Sequence, residues 1–122
     1  MSLTTEVLLG RTVYGVPSGN YDGSSQNFYG DPKPAANYFR GRGSLQTITY
    51  DFSGFVGEIV VEATLDTDPA EAVWVPVDEI GADSSTQFTG RYSTNITGNY
   101  TWLRVQVLNF SDNTIDSITV TY

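Results

Sequence analysis

Cysteine and histidine are both missing from these 122 residues, and lysine occurs once, as Lys33. Without cysteine there is no disulfide framework and no thiol nucleophile, and without histidine the commonest general base and the usual zinc ligands go too. Basic residues are scarce: six stand against fourteen acidic ones, for a formal charge of −8. Such a surface repels phosphate backbones and anionic lipid heads, so neither nucleic acid nor a membrane is an expected partner. Arg40 and Arg42 in FRGRG are the local exception, read as a loop pairing with nearby carboxylates. Long apolar runs are lacking as well. MSLTTEVLLGRTVYG has no basic leader and only the short run Val7 to Leu9, so neither a signal peptide nor a membrane span is predicted there.

Flat side chains are abundant instead, with eight Tyr and six Phe. This favours sheets over helices. A chain of this length is most simply one domain over residues 1–122, burying about two thirds of its unfolded surface. Helical periodicity is hard to find, while Gly, Pro, Asn, Asp, Ser and Thr recur at short intervals.

The first predicted strand covers Thr5 to Tyr14, where Val7, Leu9 and Arg11 alternate with Glu6, Leu8 and Gly10 and either parity can face inward. Residues 16–44 lose alternation and form a long, ordered loop rich in Gly, Pro and aromatic residues, with one short strand near Asn37 to Arg40. From Leu45 to Phe52, Ile48, Tyr50 and Phe52 share one face. SGFVG then reads as a turn, and a second strand from Glu58 to Leu65 turns Ile59, Val61, Ala63 and Leu65 inward. DTDPAEA links it to a short strand at Val73 to Val77. Three further strands follow at Thr86 to Ile96, Tyr100 to Phe110 and Asp116 to Tyr122, the last two separated by the turn SDNT. Seven or eight strands with turns at this spacing predict an all-β antiparallel β-sandwich, jelly-roll-like in its arrangement.

No serine elbow, P-loop or dinucleotide fingerprint is present, and no cofactor is implied. Glu58 and Glu62 are a conceivable acid/base pair, but about 13 Å of strand separates them, wider than glycoside hydrolysis needs. No catalytic residue and no enzymatic activity are expected. Asp66, Asp68 and Glu71 have a D-x-D spacing that supplies oxygen ligands to calcium, set against a hairpin turn that these carboxylates merely cap. The aromatic loop is the binding candidate: Tyr21, Phe28, Tyr29, Tyr38, Phe39 and Arg40 lie among Asn and Asp. Rings of this kind stack on sugars while amides and guanidinium take the hydroxyls. The competing reading has them plug one end of the sandwich or meet a neighbouring subunit. Trp74 and Trp102 read as residues at the core edge.

KPAANYFRGRGSLQTITYDFSGFVGEIVVEATLDTDPAEAVWVPV, from Lys33 to Val77, resembles virion structural proteins of T4-like phages of marine cyanobacteria. In these an aromatic and glycine stretch leads to a Thr-rich strand, a Gly-Phe-x-Gly turn and an ATL-x-T-x-P hairpin closing on tryptophan. The resemblance implies a non-enzymatic building block of the tail, neck or fibre, assembled in the host cytoplasm into the virion. Its implied partners are other virion proteins or further copies of itself. A carbohydrate-binding module using Tyr21, Tyr29, Tyr38 and Arg40, with a surface glycan as partner, is the alternative.

Overall fold

A computed structural model describes residues 4–38, 44–81 and 87–122. Among them there is no helix, and eight strands form one hydrogen-bonded antiparallel sheet. They are β1 (Thr5–Leu9), β2 (Thr12–Val13), β3 (Phe28–Tyr29), β4 (Lys33–Pro34), β5 (Leu45–Thr64), β6 (Val75–Ile80), β7 (Gln87–Thr97) and β8 (Trp102–Thr121).

β5 and β8 are twenty residues each and pair along nearly their whole length, from Thr47 opposite Thr121 to Thr64 opposite Trp102. Straight, such a strand would run about 66 Å, against a radius of gyration of about 14 Å for a compact chain of this size. The pair therefore bends over itself. The first half of β5 and the last half of β8 make one layer, flanked by β7 on one side and by β1 and β2 on the other. The remaining halves make the second layer, flanked by β6 and by β3 and β4. The result is a jelly-roll-like β-sandwich, the fold class the sequence predicts.

Register shifts in the β5–β8 pairing mark the bend, at Asp51/Phe52, Ser53/Gly54 and Val56/Glu58. An extra residue in one strand reverses which side chains face inward. Accordingly Ile48, Tyr50 and Phe52 are buried on even positions, whereas Phe55, Ile59, Val61 and Ala63 are buried on odd ones. β8 changes in the same way, from Leu103, Val105 and Val107 to Ile118 and Val120. These residues form one hydrophobic cluster that joins both layers. Gly54 sits in the bend at φ 75°, and a Cβ there would lie 2.8 Å from the Asn113 amide. Only glycine takes that backbone conformation without strain.

The two expected turns are thereby corrected. SGFVG is the bulged interior of β5, and SDNT is the bend of β8, with Asn109 and Asn113 at φ 53° and 60°. Leu65, expected inside, lies past the end of β5 and is 67% exposed. The first strand breaks into β1 and β2, and Leu8 rather than Val7 faces the core. Within the long loop the strands fall at Phe28–Tyr29 and Lys33–Pro34. Asn37 and Tyr38 lie in a turn, while residues 39–40 of the expected strand are outside the described residues.

Candidate functional site

Alternation along β8 turns Trp102, Arg104 and Gln106 away from the core while Leu103, Val105 and Val107 enter it. Antiparallel register then fixes their neighbours on the outer face of the second layer. Arg104 lies opposite Glu62 of β5, and Gln106 lies opposite Tyr29 of β3. Both register pairs are bonded through their side chains. Arg104 Nε donates to Glu62 Oε1 at 2.8 Å, and Gln106 Nε2 donates to the Tyr29 hydroxyl at 3.1 Å.

Arg104 is the centre of this group. Its guanidinium carbon lies 4.3 Å from the centroid of the Tyr29 ring and 4.4 Å from that of Trp74, just before β6. The charge is attracted to the electron-rich faces of both rings, and the planar fork keeps an edge for Glu62. The Arg104 and Glu62 side chains are only 23% and 15% exposed, so the ion pair is partly desolvated. Their opposite charges offset each other within the pair. Tyr29 remains 44% exposed and Trp74 half-buried. A second ring pair borders the patch: Tyr38 meets Trp102 at 4.9 Å, edge to face, and the Trp102 indole donates to the Thr67 carbonyl at 3.1 Å.

The loop before β3 is ordered by its own polar groups. Asp22 accepts the backbone N–H groups of Ser25 and Ser24 at 2.7 and 2.9 Å. These bonds, with the hydroxyl of Ser25, lower its pKa to about 2. Asn20 then reaches across to the Tyr29 carbonyl at 3.0 Å and to Asp31 at 2.9 Å, fixing the strand that carries Tyr29.

The six aromatic-loop candidates divide. Tyr21 and Phe28 are 1% and 8% exposed and pack with Phe110 at the bend, so they close the core. Tyr29 joins Arg104 and Trp74, and Tyr38 is 43% exposed beside Trp102. Phe39 and Arg40 lie outside the described residues, as does Arg42. Sequence reasoning missed Trp74, Trp102, Arg104, Glu62 and Gln106 as one group. Both tryptophans belong to the outer face rather than the edge of the core. The outward alternation of Trp102, Arg104 and Gln106 was the available signal.

The carboxylates have other duties. Asp66 and Asp68 accept the backbone N–H groups of Val73 and Ala70 at 2.8 and 3.0 Å, capping the turn before β6, and Glu71 is exposed. Among the described residues no cluster of three or more acidic residues is placed to hold a metal ion. Glu58 and Glu62 do not meet: Glu62 serves Arg104, while Glu58 shares a hydrogen bond with Glu79, which raises its pKa. An open apolar depression of about 220 Å³ lies at one end of the sandwich, between Leu65, Val73, Val75 and Tyr100.

No family model matches the sequence, and no curated protein matches it. Solved structures do resemble the fold. The SPBc2 prophage-derived protein YomS aligns with a TM-score of 0.52 at 11% identity, over 98% of this chain and 91% of that one. The Clostridium perfringens module CpGH89CBM32-4, solved with GlcNAc-α-1,4-galactose, aligns with a TM-score of 0.53 at 13% identity, over 95% and 91%. Chitosan-binding module 1 of a chitosanase/glucanase from Paenibacillus sp. IK-5 aligns with a TM-score of 0.50 at 15% identity, over 99% and 93%. At these identities the likeness is one of fold: a β-sandwich shared with carbohydrate-binding modules and a prophage protein.

Proposed function

We propose that this chain is a non-catalytic recognition module that binds a neutral saccharide on the outer face of its second layer. The observation that carries the reading is the guanidinium of Arg104 held by two partly exposed rings, Tyr29 and Trp74, and neutralised by Glu62. Such a patch offers the ring surface that Arg104 leaves exposed, Tyr29 above all, for the C–H faces of a sugar, with carboxylate, amide and guanidinium edges for its hydroxyls. Because Arg104 is fixed on both rings, little side-chain freedom remains to be lost on binding. The glycan-binding modules among the similar folds support this reading. A glycan array probed with the intact chain tests it, with binding to neutral oligosaccharides expected and a blank array contrary to it.

A second reading, a structural part of a tailed-phage particle, is favoured by the Lys33 to Val77 resemblance and by the fold similarity to a prophage-derived protein. The two are compatible, since a part on the tail, neck or fibre side can also present a sugar-binding face. Mass spectrometry of purified particles tests this second reading: peptides of this chain are expected, and their absence removes it.

A further inference from the structure

Each layer of a sandwich ends in edge strands whose outward N–H and C=O groups have no ladder partner. Two edges here carry protective devices. β6 has Pro76, Asp78 and Glu79 within its six residues. β1 is five residues long, contains Glu6 and has a register shift between Val7 and Leu9. β7 is different. It is eleven residues long, QFTGRYSTNIT, pairs only with β5 among the described residues, and holds neither Pro nor Lys nor any acid, although its ladder with β5 has a register shift opposite Phe88 and Thr89 and Gly90 takes φ 106°. Its one charge, Arg91, is tied within its own layer to Asp51, with Nε at 2.7 Å and a terminal nitrogen at 3.2 Å.

We propose that β7 is a self-association edge, on which the β7 strand of a second copy pairs antiparallel about a two-fold axis at Tyr92. Charge selects the occupant. In a chain of net charge −8, most approaches between copies set acid against acid, but this strand brings none. The strand is also self-complementary, as an isologous contact requires. With the axis at Tyr92, Phe88 faces Ile96 of the second copy, Gly90 faces Thr94, Thr89 faces Asn95 and Arg91 faces Ser93. Phe88 thus meets Ile96 and the two Tyr92 rings meet on the core side, polar residues meet on the outer side, and the two Arg91 side chains are diagonal neighbours rather than directly opposed. Tyr92 remains 37% exposed although its ring packs on Phe52 and against Phe88. A second strand would cover that remaining area, joining two first layers into one continuous sheet by strand addition.

The predicted register sets the test. Sedimentation equilibrium of the full chain, from about 10 μM to about 1 mM, is expected to show a weak monomer–dimer equilibrium, as befits a small interface. Ser93→Arg places a charge opposite Arg91 of the second copy and is expected to weaken the dimer tenfold or more. Ser93→Asp places an opposite charge there and is expected to strengthen it several-fold. Ser93 is exposed, so circular dichroism is expected to show both variants folded. In this cysteine-free background, Thr89→Cys with Asn95→Cys is a second readout, because six residues of strand, about 20 Å, forbid a bridge within one chain. A covalent dimer on mild oxidation agrees with the register. A monomer throughout the concentration range, a dimer moved in the same direction or not at all by both charges, or no covalent dimer overturns the proposal.

Discussion

The phenol of Tyr50, on the first half of β5, donates a hydrogen bond to Asp78 Oδ2 on β6, the strand paired to the second half of β5. One polar bond thus ties the two layers together beside the core. Tyr50 is only 2% exposed, so its hydroxyl needs this acceptor. Removing the hydroxyl with Tyr50→Phe leaves Asp78 without that donor and is expected to cost about 1–3 kcal/mol. Urea unfolding at neutral pH measures it, and an unchanged midpoint means that the bond contributes nothing net.

The same pair makes stability depend on alkaline pH. Burial first, then the Asp78 carboxylate, raise the pKa of Tyr50 far above the ordinary tyrosine value of 10.0. The unfolded chain releases this proton near pH 10 while the folded chain keeps it, so the stabilising contribution is complete below pH 10 and is lost as pH rises beyond it. The slope is about 1.4 kcal/mol per pH unit for this one proton. Tyr122, pushed up to about 12 by burial and by Glu6, adds a weaker contribution between pH 10 and 12. Urea midpoints at pH 9, 10 and 11 are expected to fall more steeply for the parent chain than for Tyr50→Phe.

The bend of β5 depends on Gly54. Gly54→Ala brings a Cβ against Asn113 in a left-handed conformation and is expected to cost about 1–3 kcal/mol. Gly10→Ala, where a Cβ meets nothing within 4 Å, is expected to change stability by less than about 0.5 kcal/mol. Thermal melts of the two variants compare them directly, and equal melting temperatures would contradict the role given to the bend.

Sequence reasoning reached the class of fold because alternation survives on both sides of the bend. Ile48, Tyr50 and Phe52 face inward before it, and Ile59, Val61 and Ala63 after it, as their spacing indicates. The change of parity between Phe52 and Ile59 was ambiguous locally, since a turn and a bulge both displace alternation and both favour glycine. Pairing with β8 resolves it, and that partner lies about fifty to sixty residues away. The Arg104 patch was legible only in pieces for the same reason. Tyr29 is one of the aromatic-loop candidates, but its meeting with Arg104 and Trp74 depends on a register between β3 and β8 that no local pattern encodes.

Arg104 is expected to order the rings beside it. Arg104→Ala leaves the Glu62 carboxylate unpaired on a partly desolvated face, at a cost of about 1–3 kcal/mol. It also releases Trp74, so tryptophan emission is expected to shift to the red. Glu62→Gln, which keeps Arg104 on both rings, is expected to cost less and to leave the emission close to the parent chain. Emission unchanged in Arg104→Ala would contradict the stacking.

The proposed sugar-binding face is tested most directly by calorimetric titration of the best glycan-array oligosaccharide into the parent chain, Trp74→Ala and Tyr29→Ala, with Tyr14→Ala as a control, an exposed ring that packs on Phe110 rather than on Arg104. Trp74→Ala and Tyr29→Ala are each expected to weaken binding tenfold or more while remaining folded, and Tyr14→Ala to bind as the parent does. Binding that survives both losses unchanged, or that falls equally with Tyr14→Ala, contradicts a saccharide site on this face.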